Sequence, residues 1–304
     1  MMQLPSQYDC MYVCMFVCLY VCLFVMLSLH VCIVDGANDV SALRASAVGV
    51  SLCDAQTSVA APITSRYPTP AAVLHVLSQG RCSLITAYSL IIFNIMYAFI
   101  QLFMACLLYG YGLILSSDTY LIQDLGFAFG SSIMISEAFP EPTLSVDVPP
   151  QGFFNHYMIL KLLLQKLSFA VFQILSLQLL FHQSWYVSDI DDEPLTQDYS
   201  YESTTLNTVA ITQIWISSMI ASIGKPFRIP WYRNRRQVLL LCIQLSWIFI
   251  QLFARYNTIT SEWLSTKPVP TSFGIQLVGV MIAQCFVSYL LNQFAESFRS
   301  HNKV

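Results

Sequence analysis

The sequence contains little charge. Asp, Glu, Lys and Arg together make up 10% of its 304 residues, whereas a soluble globular domain carries about 25%. The few basic residues form no long run and the formal net charge is −3, which excludes a nucleic-acid-binding protein, because phosphate backbones require clustered Lys and Arg. Apolar side chains are abundant instead, at 56% of the residues. This composition predicts a chain that lies largely in lipid.

Cysteine is frequent but forms no CxxC pair, so the pattern predicts no disulfide framework. Most cysteines lie singly in apolar runs, where they serve as small hydrophobic residues. The exception is residues 1–30, in which Cys10, Cys14, Cys18 and Cys22 recur every four residues. No His or carboxylate joins that row at ligand spacing, which argues against a metal site. We interpret residues 1–30 as low-complexity sequence that is an artefact of gene prediction; a membrane anchor is the alternative.

Six apolar stretches follow residue 85. A helix needs about 20 mostly apolar residues to cross about 30 Å of hydrocarbon. The stretches cover approximately residues 90–109, 120–139, 158–181, 206–223, 238–253 and 273–294. The fourth lies at the lower limit for a crossing. The sequence therefore predicts an all-α polytopic membrane bundle of six helices over residues 85–294, followed by a tail over residues 295–304.

Basic and acidic residues separate between the loops. The loop 225–236 carries five Lys and Arg residues, whereas the loop 183–205 carries six acidic residues and no basic one. Because loops rich in Lys and Arg stay in the cytoplasm, we predict that the loop 225–236, the chain before residue 85 and the tail are cytoplasmic. The acidic loop is then lumenal or extracellular. It is interpreted as a solvated connection, or as an electrostatic funnel that concentrates polycations.

A short polar motif follows the apolar N-terminal segment. Residues 35–39 read DGAND, and Ala42 and Leu43 follow at a short distance. Carboxylate and amide oxygens are hard ligands suited to Mg²⁺, and glycine permits the tight turn that brings them to one ion. The alternative is an ordinary Asp-Gly turn in which Asn38 or Asp39 caps the next helix.

This motif resembles the GDGxNDxxAL hinge motif of P-type ATPases, with Val34 in place of the first Gly. Several other segments resemble the type V P-type ATPases, specifically the subtype B branch that transports polyamines. They are SLCDAQTSVAAPITS, GRCSL, QSWYV, KPFRIPWYRN, Tyr97, Gln101, Asp124, Pro140, Pro149-Pro150 and Asn207-Thr208. The resemblance implies that residues 31–84 are the C-terminal remnant of an α/β haloacid-dehalogenase-like phosphorylation domain. It also implies that the six stretches are the family's fifth to tenth spans.

The resemblance implies a metal site in the motif. Asp35 would be a Mg²⁺ ligand, with Asn38 and Asp39 supporting it, and Mg²⁺ would act together with ATP in the full-length pump. The chain contains neither a DKTG phosphorylation motif nor a TGES-like loop. Because phosphoryl transfer needs an acceptor and a nucleotide site besides Mg²⁺, we expect that the chain cannot hydrolyse ATP alone.

Polar side chains inside the predicted membrane spans indicate a second site. Ionisable groups in spans are costly and usually functional, and Asp124 matches an acidic position of the polyamine-transporting branch. Asn94, Tyr97 and Gln101 are three and four residues apart, so one helix face can turn all three toward Asp124. We predict that these four side chains bind the substrate. Interhelical hydrogen bonding that only holds the bundle together is the alternative.

Two functions follow as hypotheses. The first is that the chain is a fragment of an ATP-driven pump that moves polyamines or other cations from lumen to cytosol through an aspartyl-phosphate. Its partners would be membrane lipid and the missing N-terminal half of the pump, in the late endosome or lysosome by resemblance. The alternative is a non-catalytic six-helix membrane partner or regulatory protein derived from such a pump.

Overall fold

The computed structural model describes residues 31–34, 40–46, 48–52, 61–65, 69, 71–150, 155–187, 200–253 and 266–301. Residues 1–30, the DGAND motif and much of the acidic loop lie outside the described residues. The chain divides into two compact units. The first combines the chain up to Tyr88 with residues 138–152 and 224–229, and the second holds the remainder.

The first unit contains a small parallel sheet. Its elements are β1 (Val31–Val34), α1 (Val40–Ala45), β2 (Val48–Leu52) and β3 (Ile63–Ser65), and the strand order is β1-β2-β3. Val50 in the middle strand is fully buried, as expected of a parallel strand. A Cβ added to Gly49 would lie 2.9 Å from Leu43 Cδ2 and 3.1 Å from the Leu43 carbonyl oxygen, so the missing side chain lets α1 pack closely on β2. The origin of this sheet in a phosphorylation domain stays a prediction.

The same unit contains the first half of α2 (Ala71–Gly110) and two loop segments. An antiparallel bridge joins Pro140 of one loop to Arg228 of the other, and the Ile229 amide donates to the Phe139 carbonyl at 2.9 Å. Side chains of α2 hold the first loop: Arg81 Nη1 donates to the Ser145 carbonyl at 2.6 Å and the Tyr88 hydroxyl donates to the Pro150 carbonyl at 3.2 Å. The bridge and the Ile229 hydrogen bond therefore give this part of the basic loop a defined backbone structure.

The second unit is helical. It contains the second half of α2, then α3 (Ser117–Leu121), a π-helical segment (Ile122–Phe129), α4 (Gly130–Ser136), α5 (His156–Phe181), α6 (Tyr201–Ala221), a 3₁₀ turn (Trp231–Arg233), α7 (Arg235–Phe253) and α8 (Thr271–His301). Within the described part of the chain, four helices are long and apolar enough to cross a membrane: α2, α5, α7 and α8. The predicted membrane bundle is confirmed to that extent.

Helical structure also occupies the other two predicted positions, with different bounds. The second stretch runs through α3, the π-helical segment and α4 and ends at Ser136 instead of residue 139, because Glu137 leaves the helical conformation at ψ 49°. The fourth begins at Tyr201, five residues before the predicted start, since the Ser200 side chain accepts the Ser203 amide at 3.0 Å in a capping box. A crossing by either segment stays a prediction.

α6 is the most enclosed helix of the second unit. Seventeen of its 21 residues are buried, including Asn207 and Gln213. Several of its hydroxyl groups donate to carbonyls of the preceding turn, as Thr208 does to Thr204 at 2.8 Å. A helix enclosed by protein does not need the apolar surface that lipid requires. This enclosure explains why α6 is not among the four apolar helices, although residues 206–223 are the fourth predicted span.

Candidate cation site

Asp124 lies on the segment of the second unit that departs from α-helical geometry. Residues 122–129 wind as a π-helix between α3 and α4, and the Gly130 amide reaches the carbonyl of Leu125, five residues back. Such segments are rare and often occur at functional sites. Neighbouring side chains of this segment have different surroundings: Gln123 is fully buried, whereas Asp124 is exposed.

A continuous chain of hydrogen bonds starts at Asp124. The Tyr97 hydroxyl donates to the Asp124 carboxylate. Gln101 Nε2 donates both to the Tyr97 hydroxyl, at 3.4 Å, and to Gln123 Oε1, at 2.5 Å. Gln123 Nε2 in turn donates to Asn207 Oδ1. Five side chains from α2, the π-helical segment and α6 are therefore linked into one network.

The predicted site residues divide into two groups. Asp124, Tyr97 and Gln101 lie together in the network, in which Tyr97 and Gln101 come from α2 and Asp124 from the π-helical segment. Asn94 is exposed on α2 and makes none of these hydrogen bonds. The assignment of all four to substrate binding stays a prediction.

Two further residues of the network were not among the predicted site residues. Gln123 is adjacent to Asp124 in sequence, and an α-helical reading places it on another face. Asn207 stood out only as part of the family resemblance. Both are fully buried, and neither position carries a sequence signal that separates a network residue from an ordinary membrane amide.

Some polar atoms of the network residues form no hydrogen bond within the described part of the chain. Among the described residues, Gln101 Oε1 and Asn207 Nδ2 are buried and have no hydrogen-bond partner. Asp124 offers its exposed carboxylate. Carboxylate, phenol and amide oxygens side by side form a suitable environment for a cation or an ammonium group, whose charge the carboxylate compensates. The Tyr97 ring is positioned by stacking on Phe93, with ring centroids 6.4 Å apart.

The predicted metal site, at Asp35, Asn38 and Asp39, lies outside the described residues. The motif is preceded directly by β1 and followed directly by α1, and β1 pairs in parallel with β2. Ligands commonly bind at the carboxyl ends of parallel strands in α/β sheets, and β1 ends directly before the motif in sequence. In the described part of the chain, no group of three or more His, Cys, Asp or Glu side chains is arranged to hold a metal ion.

Comparison with known proteins identifies relatives of the chain. No protein-family model matches it. A probable cation-transporting ATPase 13A4 from Gallus gallus is 28% identical over 85% of this chain and 24% of its own length. Two polyamine-transporting relatives are similar: ATPase 13A3 from Macaca fascicularis, at 26% identity over 87% of this chain and 23% of its own length, and ATPase 13A2 from Mus musculus, at 29% over 84% and 22%.

The chain spans about a quarter of the length of these curated relatives. Their identity to it is low, but the matched region covers most of the chain. ATPases of this class generally depend on Mg²⁺ and ATP. The comparisons confirm the resemblance found in the motifs: over about 85% of its length, the chain is a homologue of the type V P-type ATPases that include the polyamine-transporting ATPases.

Proposed function

We propose that the chain is part of an ATP-driven P-type pump and contributes to it a binding site for an ammonium group of a polyamine. The network of Asp124, Tyr97 and Gln101 is the observation that carries this proposal. Asp124 supplies the negative charge, and Tyr97 fixes the carboxylate by its hydrogen bond. Asn94, on the same helix and exposed, is available for a second part of an extended substrate.

The chemistry of the site favours an organic cation that donates hydrogen bonds. A primary ammonium group has three N–H donors, and carboxylate, phenol and amide oxygens accept them. Charge-assisted bonds of this type are about twice as strong as neutral ones. The names of two relatives state that they transport polyamines, which supports the choice of substrate class.

The arrangement in the membrane is part of the same proposal. With α6 and the segment 117–136 as additional crossings, the six segments pass from the cytoplasm to the lumen and back three times. The buried polar residues of α6 support this, because they face protein and not lipid. In this proposal the substrate moves from lumen to cytosol, and the nucleotide site and the phosphorylated Asp come from the remainder of the pump. A late endosomal or lysosomal membrane is proposed on the family resemblance.

A direct binding measurement tests the site. The full chain, purified in lipid nanodiscs, is titrated with spermine by isothermal calorimetry at neutral pH, and with KCl as a comparison cation. We expect saturable spermine binding that K⁺ at equal concentration does not displace, since K⁺ donates no hydrogen bond. If spermine shows no saturable binding, or K⁺ displaces it completely, the chain does not carry the proposed site.

For the first unit we propose that Asp35, Asn38 and Asp39 hold Mg²⁺. When bound, the ion would neutralise phosphate charge during phosphoryl transfer in the complete pump. With Mn²⁺ as a paramagnetic probe, Asp35→Asn is expected to weaken binding about tenfold or more, because a hard cation loses a carboxylate ligand. Electron paramagnetic resonance of free Mn²⁺ measures this, with Asp54→Asn as a control outside the motif. Equal affinity of the wild-type chain and the Asp35 variant would contradict the assignment.

A further inference from the structure

Gln244 of α7 contacts the π-helical segment at residues that are not part of the network. Its side chain is 2% exposed. Nε2 lies 3.3 Å from the carbonyl oxygen of Gly126, 3.3 Å from that of Phe127 and 3.2 Å from Ser131 Oγ. Three acceptors on the segment and on α4 thus share the two N–H groups of one buried amide.

The orientation of this amide follows from its neighbours. Backbone carbonyl oxygens accept hydrogen bonds and cannot donate them, so the nitrogen of Gln244 and not its oxygen must face Gly126 and Phe127. Irregular backbone at membrane depth is tolerated only where neighbouring groups satisfy its polar atoms. Gln244 provides such groups where the backbone is π-helical.

A second contact, next to Gln244, also places α7 against α4 at the end of the π-helical segment. A Cβ added to Gly130 would lie 3.6 Å from both methyl carbons of Leu240, which is one helical turn before Gln244. These distances are ordinary van der Waals contacts, so Leu240 packs directly against the start of α4. On another side of the segment, Gln123 donates to Asn207 of α6. Together with the bonds from Tyr97 and Gln101, the π-helical segment is therefore hydrogen-bonded to three different helices, α2, α6 and α7.

We propose that Gln244 is a positioning residue, which keeps residues 122–129 π-helical and thereby directs Asp124 toward Tyr97 while Gln123 reaches Gln101. Each residue of an α-helix turns by about 100°. Returning the segment to α-helical winding would therefore rotate the residues before it relative to the residues after it by a comparable angle. Asp124 and Gln123 would then no longer both meet α2. The consequence for cation binding rests on the proposed function, whereas the structural role does not.

Hydrogen exchange followed by mass spectrometry tests the structural role in the full chain in nanodiscs. Gln244→Met preserves length and removes both donors. We expect exchange of the amides in residues 122–129 to accelerate on the order of tenfold, because the loss of these hydrogen bonds shifts the local opening equilibrium. Exchange in α5 should be unchanged. Gln251→Met is the matched control, because Gln251 lies on the same helix two turns later and, among the described residues, only Gln244 of this pair donates hydrogen bonds to the π-helical segment.

The outcomes are distinct. Unchanged exchange in Gln244→Met, or an equal acceleration in Gln251→Met, overturns the proposal. If exchange also rises in α5, the variant has lost its fold, and Gln244→Asn, which only retracts the amide, decides: an acceleration confined to residues 122–129 supports the role, and none refutes it.

Spermine titration of the same variants separates this inference from the proposed function. Gln244→Met is expected to weaken spermine binding several-fold in the wild-type background and not at all in an Asp124→Asn background, because the effect acts through Asp124. Equal weakening in both backgrounds would refute positioning through Asp124. If the wild-type chain does not bind spermine, the proposed function fails, and the exchange result alone then decides the role of Gln244.

Discussion

Replacing Asp124 with asparagine is expected to weaken spermine binding by roughly tenfold to a hundredfold, the loss that follows when a charged hydrogen-bond acceptor is neutralised. Asparagine keeps the shape and one oxygen that can accept the Tyr97 hydroxyl. The charge that compensates the ammonium group is lost. Calorimetric titration of the full chain in nanodiscs measures the change. In a full-length polyamine-transporting relative, the equivalent substitution should abolish the stimulation of ATPase activity by substrate and leave phosphorylation by ATP intact.

Asp118→Asn is the matched control for this experiment. Asp118 is also exposed and lies six residues earlier, in the first turn of α3, but it takes no part in the network with Tyr97. Both variants lose one negative charge, so a long-range electrostatic effect would appear in both. Similar weakening by the two substitutions would argue against a specific site at Asp124, and unchanged binding by Asp124→Asn would exclude it.

Arg228→Ala is expected to destabilise the chain more than any substitution on its surface. The Arg228 side chain is 1% exposed, and Nη1 donates to Thr86 Oγ1 at 3.4 Å. Its backbone forms the bridge to Pro140. Burial lowers the pKa of the Arg228 guanidinium to about 10, so the group stays charged at neutral pH. Truncation leaves a cavity of the size of a long side chain and removes a buried polar partner, which together cost about 3 kcal/mol.

The measurement is thermal stability. A loss of about 3 kcal/mol should lower the apparent melting temperature of the detergent-solubilised chain by roughly 6–12 °C, as followed by fluorescence-detected size exclusion after heating. Arg233→Ala is the control, because Arg233 belongs to the same basic loop and is exposed; it should shift the melting temperature by at most about 1–2 °C. Equal shifts for the two variants would show that burial of Arg228 contributes no stability.

The contacts of Tyr97 with Asp124 and of Gln101 with Tyr97 were predictable from the sequence. Residues four apart share a helix face, and an acid inside an apolar run requires a partner. The roles of Gln123 and Gln244 were not. A π-helix has one extra residue in a turn, which changes which side chains share a face. No feature of the sequence IQDLGFAF predicts that extra residue. Asn94 fits the spacing but lies on an exposed part of α2. Spacing shows which residues share a helix face, but it does not show how far neighbouring helices cover that face.

The ends of the helices were also only partly predictable from the sequence. The cap at Ser200 lengthens α6 beyond its apolar run, because a capping box depends on side-chain geometry and not on hydropathy. The enclosure of α6 also depends on which helices surround it. Hydropathy averages over a window of residues, so it predicts an apolar stretch at 206–223 but does not show that the helix is enclosed by protein.

The sequence by itself determined that this chain is apolar, helical and homologous to type V P-type ATPases, because composition and spaced motifs are local properties. It also predicts Asp124 as the centre of a candidate cation site. Only the tertiary structure decided that Gln123 and Asn207 join the hydrogen-bond network of Asp124 and that Gln244 contacts the backbone of the π-helical segment. Those contacts connect residues as far apart as Gly126 and Gln244, and their existence depends on how α6 and α7 pack against a segment whose π-helical winding no local pattern specifies.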